Sequence, residues 1–216
     1  MKKGKLIVIE GTDGSGKETQ SKRLEQELLN RGIKAIRLSF PSYGEKSAGP
    51  VEMYLSGELG DRDSISPFEI SMYYAIDRSC TMRWLNIEEE LLNGVWVICD
   101  RYAESNIVYQ TSQLKSTTDK LLLADKIMDL EYNKLKIPVP DYVIFLKLRR
   151  EISKSLIDKR GEKKDIHETD ENLMNKVYES GLFWAERLKW NIIDCEENGA
   201  IRSIEDISKD IQSILL

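Results

Sequence analysis

Four short apolar runs punctuate the chain: Leu6 to Ile9, Ala35 to Phe40, Val95 to Cys99 and Tyr142 to Leu148. A weaker fifth lies at Asn191 to Cys195. Strands buried on both faces lose the apolar–polar alternation, so these runs predict parallel strands. Helical spacing fills the gaps. Thr19 to Asn30 sets Leu24, Leu28 and Leu29 on one face and stops at Gly32, a C-terminal signal. Pro67 to Leu92 reads as one long helix with Ser66 as its N-cap, Thr117 to Lys136 as a second, and Ile204 to Leu215 as a closing amphipathic helix. Alternating strands and helices predict a three-layer α/β/α fold around a five-stranded parallel sheet. No repeat, low-complexity tract or linker divides residues 1–216, which read as one domain. Asp158 to Asp170 is dense in charge and without apolar periodicity, and it reads as a mobile loop between two helices.

Bulk composition narrows the function classes. A chain of 216 residues suits one domain with a sizeable core, and 41% hydrophobic with 32% charged residues is the balance of a soluble protein. A net charge of −5 argues against a protein that coats nucleic acid. No apolar run approaches the roughly 20 residues of a bilayer span. The N-terminal Met1-Lys2-Lys3-Gly4-Lys5 leads into an apolar run too short for a signal peptide, so a cytoplasmic location without membrane partners is expected. Cys80, Cys99 and Cys195 form no CxxC pair and are odd in number, which predicts buried or partly buried free thiols. His167 is the sole histidine, leaving little for a His-based zinc site or a Ser-His-Asp triad.

The strongest motif is Gly11-Thr12-Asp13-Gly14-Ser15-Gly16-Lys17, set between a strand and a helix as a phosphate-binding loop requires. Glycines let successive N–H groups curl inward, the helix N-terminus adds partial positive charge, and Lys17 adds a full one. Gly11, Gly14, Ser15, Gly16, Lys17, Glu18 and Thr19 are therefore the expected ATP-binding set. The motif normally ends in Ser or Thr after the lysine, for Mg²⁺. Glu18 stands there, with Thr19 one place later, and a carboxylate also suits that ion. Asp100-Arg101-Tyr102 ends the third strand, at the same sheet edge as the loop. Asp100 there can hold the Mg²⁺ shell, and the Arg101 guanidinium can grip a second phosphate. Tyr74 and Arg78, four apart, share a helix face, where a ring can stack on a base and an arginine can hydrogen-bond its carbonyl.

The segments "IEGTDGSGKETQ", "FPSY", "MYYAIDR" and "DRYAESNIVYQ" resemble, in order and spacing, the thymidylate kinases, P-loop nucleoside monophosphate kinases that convert dTMP and ATP to dTDP and ADP. The resemblance runs from residue 5 to about 195 and implies a lid at approximately 150–170. It implies that Asp13 binds the 3′-hydroxyl of dTMP, that Tyr74 stacks on thymine and that Arg78 faces a thymine carbonyl. It further implies Arg101 on the acceptor phosphate, Ser105 and Gln110 lining the base pocket, and Tyr109 against the sugar, disfavouring a 2′-hydroxyl. Phe40 and Tyr43 of "FPSY" fall on the acceptor side. A twofold homodimer through long helices is implied as well.

The chain departs from the family at polar positions. Besides Glu18, Tyr43 stands where members often carry an arginine aimed at the acceptor phosphate, with Lys46 as a nearby substitute cation. Some members supply a catalytic arginine from the phosphate loop; Gly14 occupies that place, so the cation is expected from the lid. There Asp165-Ile166-His167-Glu168 replaces the usual "DR-acidic" pattern, leaving Arg160, backed by Lys163 and Lys164, as the expected catalytic arginine. Two other readings fit the same motifs: a kinase for another nucleotide or deoxynucleoside, and a catalytically weak nucleotide-binding protein. A P-loop GTPase or motor is disfavoured, because no Asn-Lys-x-Asp segment is present.

Overall fold

A computed structural model describes residues 3–160 and 170–216. In chain order the elements are β1 (Leu6–Gly11), α1 (Lys17–Asn30), β2 (Ala35–Ser39), α2 (Gly49–Ser56), α3 (Pro67–Trp84), α4 (Ile87–Leu92), β3 (Trp96–Asp100), α5 (Ala103–Thr111) and α6 (Thr117–Met128). Then come a π-helical turn (Asp129–Lys134), β4 (Tyr142–Lys147), α7 (Arg150–Arg160), α8 (Glu171–Arg187), β5 (Asn191–Asp194), the short hairpin β6 (Glu196–Glu197) and β7 (Ala200–Ile201), and α9 (Ile204–Leu215).

The five main strands form one parallel sheet in the order β2-β3-β1-β4-β5. Central β1 is buried along its whole length, which is why its sequence is a continuous apolar run. Its side chains alternate between two cores. Leu6 and Val8 pack with Met82, Ile87 and Leu91 from α3 and α4, whereas Ile7 and Ile9 pack with Leu24 and Leu28 of α1 and Ile207, Ile211 and Leu215 of α9. The carboxyl ends of β1 and β3 therefore open at one edge, where the phosphate loop and Asp100-Arg101 meet. Gly181 in α8 lets that helix close on the sheet: a Cβ there would lie 2.7 Å from the Phe145 ring. Among the described residues no helix is long and apolar enough to cross a membrane.

The long helices depart from their expected bounds. The one predicted over Pro67 to Leu92 is capped by Ser66 as expected, its hydroxyl accepting from the Glu69 N–H. It stops at Trp84, however, and restarts at Ile87. Asn86 at the joint takes left-handed dihedrals (φ 49°), which asparagine tolerates better than most residues. The helix predicted over Thr117 to Lys136 is α-helical only to Met128 and widens to a π turn. Cys99 and Cys195 are buried as expected, but Cys80 is exposed, because it sits on the outer face of α3.

Candidate active site

The phosphate loop joins β1 to α1, with Gly14 and Gly16 at positive φ. Lys17, almost fully buried, donates from Nζ to the Thr12 carbonyl at 2.8 Å and lies 3.8 Å from Asp13. Burial and then repulsion from Arg101 lower the Lys17 pKa, the setting of a cation waiting for an anion. Among the described residues the buried hydroxyls of Thr12 and Ser15 have no hydrogen-bond partner, so the loop carries unmet polar capacity. Gly14 faces α7: a Cβ there would come 2.6 Å from the Ser153 carbonyl oxygen and 2.9 Å from Ile157. Thr19 is exposed, and so is Glu18, whose side chain pairs with Lys22 one turn along at 2.6 Å.

Beside the loop opens a cleft of about 570 Å³, counting the space open to solvent. Its walls hold every acceptor-side residue named from the sequence: Asp13, Phe40, Tyr43, Tyr74, Arg78, Arg101, Ser105, Tyr109 and Gln110. Pro41, Leu55, Tyr102 and Asn106 join them. Lys46 is exposed and does not line the cleft. Two carboxylates fix the wall. Asp77, buried in α3, accepts from the Ser42 N–H and the Ser47 hydroxyl, each at 2.8 Å, and thereby holds the segment after Pro41 against that helix. Glu10, buried at the end of β1, accepts from the Gly11 N–H at 2.9 Å and the Ser105 hydroxyl at 2.6 Å, and lies 3.6 Å from Arg101.

Arg101 is the hub of the cleft. It follows β3 in a left-handed conformation (φ 66°), an arrangement costing of order 1–3 kcal/mol for a non-glycine residue and met mostly at functional positions. The guanidinium ion-pairs with Asp13, donates to Ser105 at 3.1 Å and to the Tyr109 hydroxyl at 3.3 Å, and lies over the Tyr109 ring. Burial opposes its charge, but Tyr109, Asp13, Glu10 and Asp100 hold it protonated. Tyr109 in turn donates to Asp13 at 2.8 Å. Across the cleft, buried Arg78 forms an ion pair with fully buried Glu131. Asn106 donates from Nδ2 to the Ser71 carbonyl at 2.9 Å and to Glu131 at 3.1 Å, which leaves its Oδ1 buried without a partner among the described residues.

The sequence model of thymidylate kinases matches residues 9–211. The chain belongs to the thymidylate kinase family. It is 34% identical to thymidylate kinase of Plasmodium falciparum, over 97% of this chain and 89% of that protein. It is 30% identical to that of Mycobacterium tuberculosis, over 84% of each. The fold is similar to the solved thymidylate kinase of Candida albicans, with a TM-score of 0.73 at 22% identity over 99% of this chain and 91% of that one. Membership makes the chain a nucleoside monophosphate kinase that phosphorylates dTMP at the expense of ATP.

Seen as a thymidylate kinase, the chain carries polar residues that the motifs did not single out: Glu10, Asp77, Asn106 and Glu131. Glu131 had a signal. It stands four residues after Ile127 and seven after Ala124, both buried, so a carboxylate falls on an apolar helix face. Of the expected lid, the Arg160 side chain and residues 161–169, with Lys163 and Lys164, lie outside the described residues.

Glu104, buried on α5 behind the cleft, accepts from the Tyr132 hydroxyl at 2.7 Å, while its Oε2 is buried without a partner among the described residues. Burial pushes its pKa up from 4.5 to about 7. A raised carboxyl pKa means that the folded state binds the proton more tightly than the unfolded chain. Its contribution is therefore full below about pH 4.5 and lost as pH rises through about 7, a loss of about 3 kcal/mol for a shift of this size. Glu104→Gln is expected to be more stable than the wild type at about pH 8 and to show a flatter stability profile from about pH 5 upward, read by chemical denaturation.

Proposed function

We propose that the whole chain works as one catalytic domain, in which the phosphate loop binds ATP and the adjoining cleft binds dTMP. The carrying observation is the pairing of an arginine donor, Arg78, with an unpartnered amide acceptor, Asn106 Oδ1, on the wall beside Tyr74. Thymine presents a carbonyl oxygen next to an N–H, which is the matching pattern. In this reading the ring stacks on Tyr74, Asp13 takes the 3′-hydroxyl, Tyr109 packs against the sugar and Arg101 holds the phosphate. Lys17 and the loop amides hold the ATP phosphates, helped by the Thr12 and Ser15 hydroxyls, which have no partner among the described residues. An acceptor phosphate oxygen then attacks the γ-phosphorus in line, the bond to the β-bridging oxygen breaks, and its electron pair leaves with ADP.

Mg²⁺ bound with ATP would neutralise charge on the transferring phosphoryl group. The donor set fits such an ion at Asp100, buried at the end of β3, with no hydrogen-bond donor on its carboxylate among the described residues. Glu18, committed to Lys22 on the outer face of α1, fits less well. Arg160 remains the lid cation of this scheme. ATP and dTMP as substrates support a cytoplasmic enzyme.

The same α3 that carries Tyr74 and Arg78 exposes Ile76, Cys80 and Trp84 at four-residue spacing, and Trp84 is 86% accessible. An apolar stripe of this kind supports the twofold dimer. Trp84→Glu together with Ile76→Glu is expected to yield a monomer in light scattering, and wild-type Cys80 to cross-link between copies. A wild-type monomer mass at every concentration tested would remove the dimer.

The test of the reaction is ADP formation with ATP and Mg²⁺ against dTMP, dUMP, UMP, CMP, dCMP, AMP, GMP and thymidine. Turnover concentrated on dTMP supports the assignment. Preference for another acceptor overturns the base-pocket roles, and ATP binding with no turnover overturns the catalytic ones.

A further inference from the structure

Glu131 touches no part of the cleft surface, yet it is bonded to both groups that face the base edge. Its carboxylate is fully buried in the π-helical turn after α6. It accepts from Arg78 Nε at 3.2 Å and from Arg78 Nη2, a two-point grip that fixes the guanidinium plane. One of its oxygens also accepts from Asn106 Nδ2 at 3.1 Å. The two consequences differ. For Arg78, Nη1 is left as the nitrogen with no partner among the described residues, so a donor remains for a ligand. For Asn106, the amide nitrogen has two acceptors, Glu131 and the Ser71 carbonyl, so the amide cannot turn over without setting oxygen against oxygen. Its Oδ1 must be the atom left over, as the buried unpartnered oxygen shows.

We propose that Glu131 is the positioning residue for acceptor specificity: one buried carboxylate sets Arg78 as donor and Asn106 as acceptor, and so selects an imide base edge over an amino-pyrimidine edge. This rests on the dTMP assignment above and extends it to a residue that makes no ligand contact. Cytosine presents the opposite pattern, an exocyclic amine beside an unprotonated ring nitrogen. It would set donor against donor at Arg78 and acceptor against acceptor at Asn106, each an unmet buried polar group. The π turn carries part of this device. A single widened turn re-aims side chains without ending a helix, and π turns recur at functional positions for that reason.

Glu131→Gln replaces two acceptor oxygens by one acceptor and one amide donor. An amide cannot serve both Arg78 nitrogens and the Asn106 amide at once, so the guanidinium loses its two-point grip and only the Ser71 carbonyl still opposes turning of the Asn106 amide. Steady-state kinetics with dTMP and dCMP in wild type, Glu131→Gln and Glu131→Asp test this. Wild type is expected to prefer dTMP. In Glu131→Gln the ratio of kcat/KM for dTMP over dCMP is expected to fall by at least about tenfold, mainly through a higher KM for dTMP with kcat little changed. Glu131→Asp keeps the charge on a shorter arm and is expected to show an intermediate ratio. A purely structural role for Glu131 would lower both substrates in proportion and leave the ratio unchanged, and that outcome overturns the proposal. Thermal melting without ligand reports folding; if Glu131→Gln does not fold, the ratio in Glu131→Asp decides alone, intermediate in support and unchanged against. A wild type that does not prefer dTMP overturns the underlying assignment itself, and is seen before any variant is made.

Discussion

Lys17→Met is expected to lower kcat by about 10²–10³-fold or more, the scale seen when one preorganised donor to a developing oxyanion is removed. Lys17 is nearly buried, and its Nζ spans the loop to the Thr12 carbonyl at 2.8 Å with Asp13 3.8 Å away. Those partners hold the ammonium where the ATP phosphates would lie on the loop amides. Its pKa is lowered first by burial and then by Arg101, so the charge is poorly compensated without nucleotide and gains most when phosphates arrive. Methionine keeps the volume and removes the charge. Since an under-compensated buried cation contributes little to stability, the variant should melt within a few degrees of the wild type. dTMP affinity, read by fluorescence titration without ATP, should change little, because Lys17 does not line the acceptor cleft. Retention of kcat within about threefold would remove Lys17 from the transition state.

The source of the remaining cation follows from packing. An arginine cannot stand at position 14, since even a Cβ would meet the Ser153 carbonyl oxygen at 2.6 Å and Ile157 at 2.9 Å, with φ at 78°. The loop and α7 are fitted to each other through the bare backbone of Gly14. In the proposed scheme the catalytic arginine therefore comes from a different direction, and α7 runs from that contact to Arg160.

What was legible in the sequence was what is local. The strands follow from runs such as Leu6 to Ile9, which sit between two helical layers and read as continuous apolar stretches. The phosphate loop is legible because its glycines, lysine and flanking elements are contiguous. Tyr74 and Arg78 were legible as one helix face by their spacing alone, while thymine stacking came only from the resemblance. The partners that set these groups were not legible, because they are distant in sequence: Glu131 is 53 residues from Arg78, and Glu10 is 95 from Ser105. Asp77 lies within the segment MYYAIDR, yet nothing in that segment shows that it ties down the Phe40–Tyr43 segment from 35 residues away. The α3–α4 break did have a local sign, since Asn86 followed by Ile87 and three glutamates is a helix start. The apolar content on both sides of Asn86 masked it.

Arg101→Met is expected to cut kcat/KM for dTMP by about 10³-fold or more, with losses in both KM and kcat, because a phosphate grip acts on the ground state and on in-line alignment. The expectation rests on how completely the guanidinium is held. Asp13, Ser105 and Tyr109 take its nitrogens, Glu10 lies 3.6 Å away, and the ring of Tyr109 lies against its face. In the proposed scheme a phosphate entering the cleft would compete with Asp13 for the guanidinium and free that carboxylate for the 3′-hydroxyl, so one exchange would prepare both ends of the acceptor. Lysine cannot reproduce this, having one nitrogen and no plane, and Arg101→Lys should recover less than a tenth of the loss. The variant also leaves Glu10 without its cation. Burial already raises the Glu10 pKa, and Arg101 is the largest influence opposing that rise. Arg101→Met should therefore raise the Glu10 pKa further, visible as a carboxyl infrared band that titrates at higher pH than in the wild type and is absent in Arg101→Met/Glu10→Gln. If Arg101→Met keeps the wild-type KM for dTMP and loses only kcat, the acceptor phosphate is held elsewhere and Arg101 acts on the transferring group alone.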